Sequence, residues 1–201
     1  GVGFKCCLPK TAGLRLVHLG DIVVVNGCGP IGLMMAKCCK LKGAYVIACD
    51  YTKLRLDTAM ALGADQVIDL NTVDDQVEAV KGLTPNGRGA DVAIEATGVP
   101  EVWEKNILMA RKGGMVMEFG GCKPGTTITI DTKLLHYSQL TIKGVYHTTP
   151  KHVGMAFELI KRGEFPEELM ISKKFELDDA LEALLSHARG EAIKNEIVVD
   201  L

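Results

Sequence analysis

Apolar and polar positions along this chain fall into blocks that predict strands and helices in turn. Residues 22–25 are Ile, Val, Val and Val, four β-branched residues in succession, and they lead into the glycine pattern Gly27-x-Gly29-x-x-Gly32. A run with helical apolar spacing follows and ends at Gly43. The order strand, tight turn and helix is typical of a nucleotide-binding unit.

The same alternation continues through most of the chain. Short apolar runs predict further strands, and segments with helical spacing separate them. After the first strand, the predicted strands are residues 44–50, 66–69, 90–97, 114–121 and 139–146, and the predicted helices include 54–62, 74–80 and one that opens at Pro100. Apolar strands that alternate with helices indicate a parallel sheet covered on both faces. We therefore predict an α/β fold with a doubly wound, six-stranded parallel sheet.

The C-terminal part of the chain has a different pattern. One helix is predicted from Pro150 to Gly163 and another from near Asp178 to Gly190, and a final strand covers residues 196–201. This strand has no obvious partner in a six-stranded nucleotide-binding sheet, and an unpaired apolar strand is an aggregation hazard. We expect it to belong to a second domain whose main part is absent from this sequence.

Each residue of the glycine motif has a separate expected role. Gly27 permits the sharp turn after the strand, Gly29 lets a pyrophosphate approach the backbone, and Gly32 lets the helix pack closely on the sheet. Pro30 suits the first helical turn, where its missing N–H removes little. The free N–H groups of that turn, including that of Ile31, would face an anion at the positive end of the helix.

An acidic residue ends the second predicted strand. Asp50 lies 18 residues after Gly32 (50 − 32 = 18), where a carboxylate can accept both hydroxyls of an adenosine ribose. A phosphate about 4 Å from that carboxylate would cost on the order of 4 kcal/mol per unit charge at a surface-like dielectric, so Asp50 favours NAD over NADP. Lys53 and Arg55 weaken this discrimination, because a nearby arginine can accommodate the 2′-phosphate.

Composition adds limits on the possible partners. The chain has 201 residues, 47% of them hydrophobic and 24% charged, which is enough to bury a substantial core. Its 23 basic residues are scattered against 25 acidic ones, for a net charge of −2. This balance predicts no nucleic-acid interface and no polybasic membrane patch. The apolar runs are short and interrupted, so we expect neither a transmembrane helix nor a signal peptide.

The cysteines, histidines and the one tryptophan carry little functional signal. The cysteines are odd in number and lack a C-x-x-C spacing, so we interpret them mainly as reduced core thiols of a cytoplasmic protein; they are Cys6, Cys7, Cys28, Cys38, Cys39, Cys49 and Cys122. We expect Trp103 to pack in the core. Four histidines are interpreted as surface or helix-end residues, namely His18, His136, His152 and His187.

Taken together, the motifs from Gly20 to the C-terminus resemble the medium-chain dehydrogenases of the zinc alcohol, sorbitol and threonine dehydrogenase type. The matching segments are Gly27-Cys28-Gly29-Pro30-Ile31-Gly32 and residues 42–50, 62–65, 89–98, 111–114 and 140–144. The resemblance implies hydride transfer between NAD and the carbon of a small-molecule alcohol or carbonyl, with a catalytic zinc that polarises the substrate oxygen.

The resemblance also carries cofactor positions onto this chain. Beside the motif glycines, Pro30 and Ile31, it implies a set of contacts along the whole cofactor. These are Asp50 and Arg55 on the adenosine side, Tyr51 beside them, Thr97, Gly98, Gly120, Val145 and His147 toward the nicotinamide, and Lys194 near the pyrophosphate. The match at His147 concerns backbone contacts, so no catalytic imidazole is expected there.

The resemblance divides the chain into three parts. Residues 1–16 would be a remnant of the catalytic domain and linking helix, 17–163 the NAD-binding Rossmann domain, and 164–201 a segment of a GroES-like catalytic domain. In the family, most zinc ligands and the proton relay lie in an N-terminal part that this sequence does not contain. The one ligand position close enough to fall here holds Val2 and Gly3. We therefore assign neither a catalytic residue nor a metal ligand.

Three functions stay open at this point. The first is an NAD-dependent alcohol or polyol dehydrogenase of which this chain is mainly the cofactor-binding domain. The second is a nucleotide-binding module that has no turnover by itself. The third is a methyltransferase that uses S-adenosylmethionine, which also pairs a glycine-rich turn with an acid after the second strand. The resemblance further implies a homodimer or homotetramer formed through the sixth strand, from Gln139 to Tyr146.

Overall fold

A computed structural model describes residues 17–199 of the chain. Strands and helices alternate through the first two thirds, as the sequence predicts. In chain order the elements are β1 (Ile22–Asn26), α1 (Pro30–Leu41), β2 (Tyr45–Asp50), α2 (Lys53–Ala61), β3 (Gln66–Asp69), α3 (Gln76–Gly82), β4 (Ala90–Glu95), α4 (Pro100–Met109), β5 (Ala110–Glu118), α5 (Thr132–Tyr137), β6 (Thr141–Gly144), α6 (Pro150–Lys161), α7 (Glu167–Met170), β7 (Lys173–Glu176), α8 (Ala180–Ala188) and β8 (Asn195–Val198).

The main sheet has six parallel strands in the order β3-β2-β1-β4-β5-β6. Strands β2 and β3 therefore lie on one side of β1, and strands β4, β5 and β6 lie on the other side. The strand order reverses between β1 and β4, which is where open α/β sheets form a ligand crevice at the carboxyl ends of their strands. The predicted doubly wound, six-stranded α/β fold is confirmed.

The first strand is buried on both faces, as a central strand of a doubly wound sheet must be. Val23 and Val25 pack in one apolar cluster together with Leu33 and Met35 of α1. Ile22 and Val24 belong to the other cluster, with apolar residues of α3 and the end of α4. Alternate side chains of one β-branched run thus anchor the helices on opposite faces, which explains why the run contains no polar residue before Asn26.

The sequence-based boundaries need several corrections. β4 and β6 are shorter than predicted, and β5 begins at Ala110, four residues before its predicted start. The predictions also missed α5, whose Asp131 caps the helix by accepting from the N–H of Lys133.

The final strand has no partner in the six-stranded sheet, as predicted, but it has one elsewhere in the chain. β8 pairs in parallel with β7, and the two form a separate two-stranded sheet. β7 escaped notice because its sequence, Lys-Lys-Phe-Glu, has one apolar residue in four and so gives no strand pattern. The prediction that residues 164–201 belong to a second domain stays a prediction.

His152 lies in the first turn of α6, as a helix-end residue, but it is not on the surface. His152 is buried, and its ring Nδ1 lies 2.7 Å from the hydroxyl of Thr149 at the start of α6. His18, His136 and His187 are exposed, as expected.

The described cysteines are free thiols, buried except for the half-buried Cys122, whereas Cys6 and Cys7 lie outside the described residues. Within residues 17–199, no helix is long and apolar enough to cross a membrane.

A buried aspartate holds the amino-terminal edge of the sheet. Asp91, at the start of β4, accepts from the N–H of Ile22 at 2.9 Å and from the guanidinium groups of Arg88 at 2.9 Å and Arg111 at 2.5 Å. Burial by itself would raise the pKa of Asp91, but the Ile22 hydrogen bond and the two arginines lower it below its usual 3.8. The charged Asp91 therefore stabilises the fold at pH values above the pKa that an aspartate has in the unfolded chain. This stabilisation is lost as the pH falls through the lower pKa of Asp91 in the folded state.

We expect Asp91→Asn to lower the free energy of unfolding by about 2–3 kcal/mol at pH 7, because it leaves the Ile22 N–H and two guanidinium groups with a neutral acceptor. Urea denaturation at several pH values measures this loss. The difference from the unmodified chain should begin to shrink below about pH 4, where the aspartate of the unfolded chain takes up a proton, and should disappear only below the lowered pKa of the folded state. Asp57→Asn, which removes an exposed pair with Lys53, is the control and should change little. A loss for Asp91→Asn that does not depend on pH would contradict the electrostatic explanation.

Candidate nucleotide-binding site

A cleft of about 520 Å³ opens at the carboxyl ends of β1, β2 and β4. It lies at the point where the strand order reverses. Six of the residues predicted from the sequence line it, namely Gly27, Gly29, Asp50, Tyr51, Arg55 and Thr97. The structure therefore brings together the glycine turn, the acidic residue after β2 and the turn after β4, which are far apart in the sequence.

The turn between β1 and α1 is shaped by close backbone approach. Gly27 has a φ of 91°, and its N–H donates to the carbonyl of Cys49 at 2.9 Å. A Cβ on Gly32 would lie 1.8 Å from the carbonyl oxygen of Gly27, so only glycine lets α1 begin this close to the end of β1. Gly29 differs, because a Cβ there would meet no atom within 4 Å. The backbone at Gly29 therefore faces open space in the cleft.

The carboxylate of Asp50 connects the turn after β1 with the turn after β2. One oxygen accepts from the N–H of Cys28 at 2.8 Å, and the other accepts from the N–H of Thr52 at 2.8 Å. The side chain is 6% exposed. Each carboxylate oxygen can accept a further hydrogen bond, so Asp50 can hold the two turns and still receive hydroxyl groups from a ligand in the cleft.

Two cations near Asp50 have different surroundings. Arg55 places Nη1 3.5 Å from the Asp50 carboxylate, and its buried Nε has no hydrogen-bond partner among the described residues. Lys53 is exposed and pairs with Asp57 at 2.9 Å, one helical turn along α2. The structure thus puts Arg55 at the cleft and leaves Lys53 on the surface, and of the two only Arg55 had been named as a cofactor position.

The turn at residues 97–98 forms the other end of the site. The N–H groups of Thr97 and Gly98 and the hydroxyl of Thr97 all donate to Oε1 of Glu95, the last residue of β4. Gly120, after β5, packs against this turn so closely that a Cβ there would lie 2.2 Å from the Gly98 nitrogen. Trp103 of α4 donates from its indole N–H to the Gly120 carbonyl at 3.0 Å. The turn, the start of the loop after β5 and α4 are therefore fixed together by side-chain hydrogen bonds and by the close approach of two glycines.

Sequence reasoning missed a group of polar residues at the base of the cleft. Asn26 and Gln76 line it, and the Gln76 amide donates to the Asn26 oxygen at 2.7 Å. The Asn26 amide donates in turn to the side-chain oxygen of buried Asn106 at 2.7 Å. The sequence contained one signal for this polar group, because Asn26 is a polar residue at the end of an otherwise apolar strand. Val99, Glu101 and Lys105 also line the cleft.

The remaining predicted site residues do not line this cleft. Gly32 is buried beneath the turn, and Ile31 is partly exposed at the start of α1. Pro30 and Lys194 line a neighbouring cavity of about 350 Å³ formed with residues of α6 and α7. Val145 is buried just after β6 and hydrogen-bonds from its N–H to the Glu118 carbonyl.

His147 lies beyond β6 and takes an unusual backbone conformation. Its φ is 61°, in the left-handed region, and its exposed ring packs against that of Tyr146 with centroids 3.9 Å apart. The side chain does not line the cleft.

Within residues 17–199, no three His, Cys, Asp or Glu side chains are grouped so that they could hold a metal ion. The described residues therefore contain no donor set for zinc.

Comparison with known proteins shows which family this chain resembles. Sorbitol dehydrogenase from Gallus gallus is 32% identical over 197 residues, which cover 96% of this chain and 52% of that protein. The structure of benzyl alcohol dehydrogenase from Acinetobacter calcoaceticus matches with a TM-score of 0.84 at 29% identity, covering 92% of this chain and 51% of that one.

A further structure was solved with NADP bound. It is a Sinorhizobium meliloti 1021 protein assigned to the zinc-binding dehydrogenases, and it matches with a TM-score of 0.77 at 27% identity over 91% of this chain and 51% of that one. The chain spans about half the length of these relatives.

The model of the family described as zinc-binding dehydrogenase matches residues 30–162, from the first turn of α1 to the end of α6. This segment contains most of the six-stranded sheet and most of the cleft residues. The chain belongs to the zinc-binding dehydrogenases, the medium-chain family whose members include alcohol, sorbitol and threonine dehydrogenases.

Proposed function

We propose that this chain binds NAD and forms the cofactor-binding part of a dehydrogenase that acts on an alcohol or polyol. The observation that carries the proposal is the arrangement at the cleft, where the open backbone of Gly29 and the carboxylate of Asp50 lie in the same pocket. An exposed glycine at a helix start suits a pyrophosphate, and an acid after the next strand suits a ribose diol. The relatives named as alcohol and polyol dehydrogenases support the reaction class.

The dinucleotide would lie across the carboxyl ends of β2, β1 and β4. Its adenosine would contact Asp50, Tyr51 and Arg55, and its pyrophosphate would meet the first turn of α1, whose leading N–H groups have no acceptor within the helix. The nicotinamide would then extend toward the turn at residues 97–98. The remaining proposed contacts are Gly27, Pro30, Ile31 and Gly32 in the turn, Gly120, Val145 and His147 toward the nicotinamide, and Lys194 near the pyrophosphate.

We assign the chain to NAD in preference to NADP because of the charge at the ribose. Asp50 is nearly buried, so a 2′-phosphate beside it would be poorly screened by solvent. Arg55 is the main feature that favours NADP, since its unpartnered Nε lies next to the cleft. The guanidinium already faces the Asp50 carboxylate, and moving it to a phosphate would leave that carboxylate without its cation.

Bound NAD would supply a hydride acceptor for the carbon of the alcohol. The described residues would bind and orient the dinucleotide, and they contain no group that we assign to proton transfer or to zinc. For this reason we propose that the 201-residue chain binds cofactor without turnover when it is alone. Oxidation of alcohols by the isolated chain with added zinc would overturn this part of the proposal.

Calorimetric titration with NADH, NADPH and S-adenosylmethionine tests the cofactor assignment. We expect the chain to bind NADH more tightly than NADPH and to ignore S-adenosylmethionine. Gly29→Ala should weaken NADH binding by on the order of tenfold or more, because a methyl group would stand where the pyrophosphate receives charged hydrogen bonds. The folded chain should tolerate this change, since a Cβ at Gly29 meets no atom.

Gly32→Ala is the matched comparison within the same motif. Its Cβ would clash with the Gly27 carbonyl, so we expect a loss of about 3 kcal/mol in unfolding free energy. Thermal denaturation of both variants separates the two roles. If Gly29→Ala keeps full NADH affinity, or if the chain binds only S-adenosylmethionine, the proposed dinucleotide site is wrong.

Asp50→Ala tests the choice between the two nicotinamide cofactors. The ratio of the NADPH and NADH dissociation constants should shift toward NADPH by at least about tenfold, because the repulsion of the 2′-phosphate is removed and Arg55 is released. Using the ratio cancels any general weakening of the site, since Asp50 also accepts from the Cys28 and Thr52 N–H groups. Lys53→Ala is the control, because Lys53 pairs with Asp57 on the surface, and its ratio should change by less than about twofold. An unchanged ratio for Asp50→Ala would reject the charge argument.

We also propose that the chain self-associates through β6. This strand lies at one edge of the six-stranded sheet, and its sequence, Thr-Ile-Lys-Gly, has one charge. An edge of this kind can pair with a second copy of itself. Sedimentation velocity should show a dimer or tetramer, and replacing Ile142 with Pro should shift it to monomer by blocking strand pairing. A purely monomeric chain at high concentration would contradict the proposal.

A further inference from the structure

Two buried glutamates end neighbouring strands beneath the nicotinamide end of the proposed site. Glu95 is the last residue of β4 and Glu118 is the last of β5, and the two are direct register partners. Partners in a parallel pair project from the same face of the sheet. Glu95 is 0% exposed and Glu118 is 3% exposed. The negative charge of Glu95 therefore opposes the ionisation of Glu118.

The two oxygens of Glu95 have opposite surroundings. Oε1 accepts three hydrogen bonds from the turn at residues 97–98. Oε2 is buried and has no partner among the described residues. It lies close to Gly120, where an added Cβ would come within 2.6 Å of it. Glu95 therefore acts as the acceptor that shapes the turn, with one oxygen left to receive a proton donor.

Glu118 has the complementary arrangement. Its Oε2 is within 3.4 Å of the side-chain amide of Asn106, which can donate to it, and its buried Oε1 has no partner among the described residues. A neutral carboxylic acid has one carbonyl oxygen that accepts and one hydroxyl that donates. Glu118 in its neutral form would satisfy both of its oxygens if the hydroxyl on Oε1 pointed to Glu95.

The charges around the pair favour this protonation state. Burial and the nearby Glu95 charge raise the pKa of Glu118 from 4.5 to about 8, against the opposing effect of the Asn106 hydrogen bond. No lysine or arginine within residues 17–199 is ion-paired with either glutamate. The other titratable groups nearby are the Cys122 thiol after β5 and Glu101 of α4, and the pKa of Cys122 is raised by burial and then by Glu95, Glu118 and Glu101.

We propose that Glu118 and Glu95 share one proton, which Glu118 donates to the free oxygen of Glu95, and that this pair positions the turn at residues 97–98 for the cofactor. Both glutamates are positioning residues, because they act on the cofactor only through Thr97 and Gly98. The positioning role rests on the proposed function, whereas the shared proton is a property of the unliganded chain.

The pair makes the turn sensitive to alkaline pH. When Glu118 loses its proton, a second buried negative charge appears beside Glu95, and the hydrogen bond that holds Oε2 is lost. Glu95 can relieve the repulsion by moving away from Glu118, which disturbs the three hydrogen bonds to the turn. Cofactor affinity should therefore be constant below about pH 7 and should fall as the pH passes through about 8.

Infrared spectroscopy of the ligand-free chain tests the shared proton directly. At about pH 6.5 the spectrum should contain a protonated-carboxyl C=O band that disappears by about pH 9.5, with a midpoint near 8. Glu118→Gln should lack the band at every pH, and the exposed Glu168→Gln should retain it. If the band is absent from the unmodified chain at about pH 6.5, the inference is wrong whatever the chain binds.

Titration with NADH across the same pH range tests the positioning role. The unmodified chain and Glu168→Gln should lose affinity by on the order of three- to tenfold between about pH 6.5 and 9.5, the effect of one hydrogen bond. Glu118→Gln keeps a donor for Glu95 and an acceptor for Asn106, so its affinity should stay within about twofold of the low-pH value throughout. Glu118→Ala removes the donor and should be weak at every pH, with its fold checked by circular dichroism.

The outcomes separate this inference from the proposed function. A Glu118→Gln variant that loses affinity with pH as the unmodified chain does would overturn the positioning role, even if NADH binds well. An infrared band that titrates as expected in a chain that binds no nicotinamide cofactor would overturn the proposed function and the positioning role together, and it would establish the shared proton alone.

Discussion

The site depends on the carboxylate of Asp50, which joins two backbone turns that come from successive strands. By accepting from the N–H groups of Cys28 and Thr52, it fixes the turn after β1 against the turn after β2. A neutral side chain of similar size would accept fewer hydrogen bonds, and an apolar one would leave two N–H groups unpaired in a nearly buried place. The residue that would recognise a ribose therefore also holds the two turns that shape the pocket. A change at Asp50 would alter both functions together.

Three buried acids in this chain show how the partners of a carboxylate decide its chemistry. Asp91 has two arginines and a backbone N–H, and its pKa is lowered despite burial. Asp50 has two N–H donors with Arg55 beyond them. Glu118 has only an amide donor and faces a second acid, and its pKa is raised to about 8. Burial raises the pKa of both Asp91 and Glu118, and the hydrogen bond and arginines at Asp91 outweigh it, whereas the single amide donor at Glu118 does not.

The sequence predicted the parts of the fold that depend on local patterns. The β-branched run of β1, the glycines of the turn and the apolar strands β2 and β4 have signals within a few residues, so the six-stranded sheet and the meeting of Gly27, Gly29 and Asp50 in one cleft were predictable. β7 was not predictable, because its four residues contain three charged ones and its pairing with β8 spans about twenty residues of intervening chain. The burial of His152 depends on tertiary packing that α6 alone does not encode.

The polar residues behind the cleft were missed for a similar reason. Asn26, Gln76 and Asn106 come from three separate elements, and only the folded sheet makes them a hydrogen-bonded chain. Glu95 was visible at the end of a strand, but its register partner Glu118 could be identified only from the pairing of β4 with β5. Local sequence reports the type of each element, and it does not report which polar side chains share a buried space.

The turn after β4 is in direct contact with the turn after β1, so the two turns should not be considered separately. The N–H of Ala96 donates to the carbonyl of Asn26 at 2.9 Å, which joins the end of β4 to the end of β1. Beyond this bond, a Cβ on Gly27 would lie 2.6 Å from the methyl group of Thr97. Thr97 therefore packs against the first glycine of the motif, and it is held there by Glu95. Because close-packed interiors transmit small displacements, a shift of the Glu95 carboxylate would reach the glycine turn after β1 through Thr97.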